Sequence, residues 1–306
     1  MAKKLIIPEL DLKIIERNVA VPKIRFSASK LKTIKDCYGK YFYRNIAEIK
    51  VPEKTWPATV YGLVCHGILE ESLLERQAGQ KEKDIFNKFT EKGLFEKRFK
   101  ETVATEKERG RIFGKPRSYN EDDFMVAGEE GLRVLLKFVL GYFKNFTKLL
   151  PEEKLESDWQ WDTEIFLNGI ADLPVFFEEA IYRIFDFKTT QHSENFYYVN
   201  WKEDIQSLMY LYMSYKKFGI WPQGFDYLVF NWKENNIFLN SVTHPIAPKN
   251  DEELAHFFDG LNKILTSAKI MHRKPKTSYY FPEKEKCHWC EFAPKNGGPC
   301  TEAIRE

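Results

Sequence analysis

Asp186 and Lys188 stand two residues apart in Ile184-Phe185-Asp186-Phe187-Lys188, a run whose alternation fits a β-strand. Strand periodicity sends the acid and the base to one face and both Phe to the other. Asp172 lies fourteen residues before Asp186, after Gly169 and before Pro174, on what reads as the partner strand of a hairpin. A short hairpin can set the two carboxylates opposite each other. Carboxylates that converge without a dedicated Arg repel, and a hard divalent cation relieves that repulsion. Magnesium needs only one or two protein carboxylates and fills its other positions with water and substrate phosphate. Such an ion activates water and offsets charge on a phosphodiester under attack, while Lys188 can hold the water or balance the phosphate. The same spacing also fits a salt-bridged strand, Asp186 with Lys188, and an unrelated Asp172.

Other residue types could join them. His66 offers an imidazole nitrogen from a helix, and Glu70, one turn on, could orient it or be a plain surface charge. Gln206 and Tyr210 share a helix face at i,i+4, as a polar edge or as groups that reach an active centre. Cys287-His288-Trp289-Cys290 is a C-x-x-C, nine residues separate Cys290 from Cys300, and Cys37 stands far upstream. Four thiolates suit either a tetrahedral zinc or a 4Fe–4S cluster. Cys65, among Leu and Val, reads as a small buried residue.

The elements that must position these groups are legible in outline. Ser27–Tyr43 opens on helix-capping Ser residues, and Thr59–Gln77 carries Leu63, Leu69, Leu73 and Leu74 in a helical pattern. Between them runs a Pro-bearing linker, Val51–Pro57. Residues 78–150 read as a helical insertion, broken at Gly110–Pro116 and closed by an apolar helix, Gly131–Leu150. From Trp159 the chain turns aromatic and β-branched, with an acidic turn at Glu178–Ala180. A helix over Asn200–Phe218, strands Phe225–Trp232 and Ile237–Val242, and a helix Asp251–His272 follow. This order gives one α/β domain over 1–306 with a mixed sheet. Residues 23–50 and 273–306 would form a cysteine-bearing subdomain.

Of 306 residues, 43% are hydrophobic and 30% charged, which reads as a soluble, globular chain rather than a disordered one. Net charge is only +2, so bulk electrostatics do not announce a polyanion partner. Local charge is less even. Seven basic residues face one Asp over Lys23–Arg44, and eight face three Glu over Lys97–Arg117. Such runs can neutralise phosphates or be solvated faces. There is no leader-like apolar stretch and no run of membrane-spanning length. The expectation is therefore a reducing cytoplasm, no membrane, and cysteines that bind metal or are buried.

The pattern Gly169-Ile170-Ala171-Asp172 through Asp186-Phe187-Lys188-Thr189-Thr190 resembles the PD-(D/E)XK nucleases, and is most similar to their RecB-like branch. That branch includes the AddB nuclease domain and CRISPR-associated RecB-like exonucleases. Three further motifs carry the resemblance, which spans about Ser27 to Cys300. They are His66 within Gly62–Glu70, Gln206-Ser207-Leu208-Met209-Tyr210 as a Q-x-x-x-Y, and the split cysteines. The nine-residue gap before Cys300 is longer than the family's usual spacing. The resemblance implies a restriction-endonuclease-like fold, a mixed central sheet flanked by helices. It implies Mg2+ or Mn2+ held by His66, Asp172, Asp186 and the Phe187 carbonyl, with Asp172, Asp186, Lys188, Gln206 and Tyr210 catalytic. It also implies a 4Fe–4S cluster on Cys37, Cys287, Cys290 and Cys300, with zinc as the alternative, stapling the two ends of the chain. The activity implied is exonucleolytic cleavage of DNA, single-stranded or at ends. The setting would be recombination and repair, a phage, or CRISPR adaptation, with a helicase, recombinase or adaptation protein as partner. Two other classes fit less of the pattern: a nuclease-fold DNA-binding recombination partner with little catalysis, and a zinc-stapled nucleic-acid adaptor.

Overall fold

The computed structural model describes residues 22–51, 54–113, 121–177, 181–192, 204–242, 247–275, 290–293 and 300. After a short strand β1 (Ile24–Phe26) come two helices, α1 (Ala28–Asp36) and α2 (Tyr38–Asn45). The sequence reads as one helix here. Cys37 breaks it: its extended backbone (φ −165°, ψ 108°) ends α1 and caps α2, with Sγ accepting from Lys40 N at 3.4 Å. A short strand β2 (Lys54–Thr55) leads into α3 (Pro57–Gln77), where Pro57 takes the first helical turn, the position at which its missing N–H costs nothing. Then come α4 (Glu82–Phe89), α5 (Leu94–Glu108), β3 (Ile112–Phe113) and α6 (Glu121–Tyr142). The expected helix to Leu150 ends eight residues early, and β4 (Lys148–Leu149) follows it.

The remaining elements are β5 (Glu153–Asp158), β6 (Ile165–Ala171), β7 (Leu173–Phe177), β8 (Ile181–Thr190), α7 (Ile205–Phe218), β9 (Gly224–Asn231), β10 (Asn236–Val242), α8 (Asp251–Phe257) and α9 (Asp259–Arg273). They build not one sheet but two mixed ones, ordered β1-β6-β5 and β10-β9-β8-β7-β4, with β2 and β3 as a separate parallel pair. The turn at 178–180 lies outside the described residues, yet β7 and β8 pair antiparallel, Leu173 opposite Phe185. Helix α7 crosses over from β8 to the parallel strand β9, capped by Asp204 at one end and by left-handed Gly219 (φ 69°) at the other.

The five-stranded sheet is covered on both faces. Phe225, Tyr227 and Val229 of β9 enter a core with β1, β5, β6, α1, α2, α7 and α9, while Leu228 and Phe230 enter a second core with α3 to α6. Two-sided burial explains why Gly224–Asn231 is buried at every position. Within it, Asp226 accepts a bidentate pair from Arg183 of β8, both N···O distances 2.7 Å. Asp226 is 1% exposed, so removing its partner strands a charge. We expect Arg183→Met to lower the unfolding free energy by about 3 kcal/mol, read by urea denaturation; an unchanged midpoint would show the clamp is dispensable.

Candidate metal centre

Asp172 sits at the single-residue break between β6 and β7, where the chain leaves one sheet and enters the other. The hairpin register carries it to the middle of β8: Phe187 N donates to Asp172 Oδ2 at 2.8 Å. Phe185 and Phe187 enter the second core, while Asp186 and Lys188 form an ion pair on the other face, against α7. There Gln206 Nε2 donates to Asp186 Oδ1 at 2.6 Å. Asp186 is 1% exposed, and its other oxygen is buried with the Lys188 ammonium beside it but no well-aligned hydrogen bond.

Two glycines let the surrounding elements close on this point. A Cβ on Gly62 would lie 2.7 Å from Thr189 Oγ1, so any larger residue there would force Thr189 to shift where α3 meets β8. One turn on, His66 Nδ1 reaches 3.6 Å from Asp172 Oδ2, and its ring meets Phe187 edge to face at 6.0 Å. Likewise a Cβ on Gly169 would lie 2.8 Å from the Tyr210 ring, which gives the Gly of G-x-x-D a steric reason. Tyr210 is buried there, and burial together with the Asp186 and Asp172 charges raises its phenol.

Electrostatics at this point favour a missing positive charge. Burial pushes the Asp186 carboxyl up to about 7; the Lys188 ammonium opposes that and Asp172 adds to it. Asp172 is also raised, by burial, against the pull of Lys188 and the Phe187 N–H. His66 is lowered, chiefly by burial, which keeps the imidazole neutral and able to ligate. Sequence reasoning missed one member, Glu152. Its N–H donates to the Asp172 carbonyl at 2.9 Å, and its ligand oxygen, the His66 nitrogen and the Asp172 oxygen all lie within 4.8 Å of one another. Burial pushes Glu152 up to about 7, with Asp172, Glu70 and Asp186 adding to it. Glu152 holds a left-handed backbone (φ 51°), uncommon outside glycine and costing on the order of 1 kcal/mol. No spacing rule singles out Glu152 from Glu153 after Pro151; only the fold brings it in.

A family model described as the PD-(D/E)XK nuclease superfamily matches residues 25–294. The chain belongs to this superfamily. Its members are nucleases, and divalent metal is typical of them. The donor set suits such an ion: a neutral imidazole, carboxylates whose charge is costly without a cation, and oxygen ligands of the hard kind. No curated protein matches the chain. A solved structure described as the crystal structure of SSO0001 aligns over 90% of this chain and 95% of that one, at 11% identity and a TM-score of 0.34.

The cysteines stand elsewhere. Cys37 is raised by burial and by Cys300, and Cys290 by burial and, further down, by Cys37, so the tail comes back to the α1–α2 junction. Cys287 lies outside the described residues. Among the described residues no three cysteines come within single-ion binding distance. What visibly fastens the tail is Glu291, paired with Lys40 and Arg44, and Phe292, stacked on Tyr43 at 5.5 Å. Cys65 is buried in α3. No helix among the described residues is long and apolar enough to cross a membrane.

The raised acids set a pH dependence. Asp186 and Glu152 titrate near 7 when folded and near 4 when unfolded. Between those values the folded protein binds more protons, so metal-free stability falls as pH rises through that window. The metal-free Tm should therefore be depressed on the alkaline side of pH 7, and Mg2+ or Mn2+ should raise it more there than near pH 5. Equal metal-induced shifts at both pH values would contradict the assignment.

Proposed function

We propose that the protein is a Mg2+- or Mn2+-dependent deoxyribonuclease, acting exonucleolytically on single-stranded DNA or DNA ends. The observation that carries the reading is the convergence of His66, Glu152 and Asp172 beside the buried Asp186–Lys188 pair. His66, Asp172, Asp186 and the Phe187 carbonyl would hold the ion, with Glu152 within reach. A bound divalent cation would lower the pKa of its water and neutralise charge on the scissile phosphate.

The chain's own groups then have distinct tasks. Lys188, anchored by Asp186 and lying 5.6 Å from the Tyr227 ring centre, keeps its ammonium aimed at the site to steady the attacking water or the phosphate. Gln206 fixes the Asp186 carboxylate by its amide, which is a positioning task. Tyr210 packs α7 against β6, the strand that ends just before Asp172, through its close approach to Gly169. DNA rather than RNA, free ends, and a role in recombination, repair, phage or CRISPR settings follow the motif resemblance. The same holds for a helicase, recombinase or adaptation partner. A catalytically weak DNA-binding role is disfavoured because binding alone gives no reason to bury Asp186 beside Asp172. Residence in a reducing cytoplasm suits the thiols.

The proposal extends to the thiols: Cys37, Cys287, Cys290 and Cys300 would carry a 4Fe–4S cluster, with zinc as the alternative ion. Its support is the meeting of the α1–α2 junction with the tail, where Cys300 raises Cys37 and Cys37 raises Cys290. Closing so long a loop would stabilise the fold.

Asp186→Ala and Lys188→Ala should each cut DNA cleavage by at least ~10²-fold with circular dichroism unchanged; full activity in either pure variant would end the nuclease assignment. Covalently closed circles should resist digestion, and ready cutting would remove the exonuclease part. Anaerobically purified protein should be brown, with a broad cluster absorbance that Cys37→Ala abolishes. Colourless protein with stoichiometric zinc would replace iron–sulfur by zinc.

A further inference from the structure

The two basic runs do not simply coat the surface. Many of their charges pair with nearby acids: Lys23 with Asp158, Arg25 with Glu156, Arg98 with Glu71, Lys100 with Glu96. Three arginines are also paired with acids but line a common cavity. Arg44 from the first run and Arg109 and Arg111 from the second converge, with Lys50, on one cavity of about 740 Å³.

Topology explains the meeting. Strands β2 and β3 pair in parallel, Lys54 opposite Ile112 and Thr55 opposite Phe113, so the segments entering them run side by side. Residues 48–51 form one wall, 109–111 a second, and the returning tail at Glu291 and Phe292 a third. Two buried acids hold the cations in place. Glu106, 1% exposed, takes both Arg109 and Arg111; Glu291, 8% exposed, takes both Lys40 and Arg44. Each buried carboxylate thus carries two cations. Of the charged residues lining the cavity, four are cations and two are carboxylates. Guanidinium forks fixed by buried acids and left with surplus positive charge suit phosphate oxygens. The volume exceeds what one ion needs and lies in the range of a nucleotide-sized ligand.

The cleft and the metal centre share no residue. One cleft wall, residues 48–51, precedes β2, and β2 leads into α3, the helix that carries His66.

We propose that this arginine cleft is a second binding site for the nucleic-acid strand, gripping its phosphodiester backbone outside the metal centre. The inference rests on the nuclease reading for its ligand. The strand would pass between the 78–150 region and the returning tail, so both hold the same substrate.

The test is the salt dependence of strand binding. Fluorescence anisotropy of a labelled single-stranded oligonucleotide in chelator should give a log K against log[salt] slope that falls by about 1.4 in Arg109→Gln/Lys50→Gln, about 0.7 per lost contact. Arg111 still pairs with Glu106 and Arg44 with Glu291, so neither buried acid is stranded. Arg109→Lys alone should keep more of the slope than Arg109→Gln. In magnesium, the double variant's kcat/KM should drop further on a long strand than on a trinucleotide. An unchanged slope, or equal losses at both lengths, overturns the proposal. So does inorganic phosphate that stabilises wild type but not the variant while strand binding is untouched, since the cleft would then take a free anion. Wild-type protein that binds strands through these residues yet cuts none would sink the nuclease reading and leave the cleft standing.

Discussion

Asp186 lies in a strand covered on both faces, so its carboxylate can stay ionised only with positive charge beside it. Lys188 supplies one charge, but Asp172 and Glu152 bring two more acids to the same place. The imbalance makes the position costly for an ordinary fold and suitable for a cation. Much of the nearby structure serves that arrangement. The Phe187 N–H and the Gln206 amide each fix one carboxylate oxygen. The break between β6 and β7 frees Asp172 from both ladders so that its side chain can face β8.

Close approach is the second requirement. An imidazole on a helix reaches a strand only if the helix sits down on the sheet, and Gly62 against Thr189 allows that. Gly169 does the same for Tyr210 and α7. Both helices are therefore held against the site by contacts a single methyl group would disturb. Further out, the Arg183–Asp226 clamp joins β8 to β9 on the strand that carries Asp186 and Lys188.

The sequence made the chemistry easier to read than the architecture around it. Asp186 and Lys188 share a face by a period-two alternation that is local, and Gln206 and Tyr210 by an i,i+4 spacing that is local too, though it took the motif resemblance to single either pair out. Glu152 does not, because its role depends on a left-handed turn meeting a strand break in space. Strand β5 was hidden by its composition: in Glu-Lys-Leu-Glu-Ser-Asp only Leu155 is buried, as befits an edge strand. Ser27–Tyr43 shows one helical pattern, and nothing in it marks the extended backbone at Cys37 that splits α1 from α2. One sheet was expected and two were found, because the turn of the chain at Asp172 leaves no Gly or Pro at the break itself.

The break at Asp172 also bears on when the protein can act. The centre draws on α3, on the junction of the two sheets, on β8 and on α7, and His66 stands 106 residues before Asp172 and 120 before Asp186. Contacts of such long sequence separation form late, after the local helices. A chain still emerging from the ribosome, with α3 and the helices of 78–150 already folded, would carry His66 but not the acids that complete the site. Its hydrolytic potential is thus withheld until α7 has closed over β8. Synthesis itself delays the enzyme.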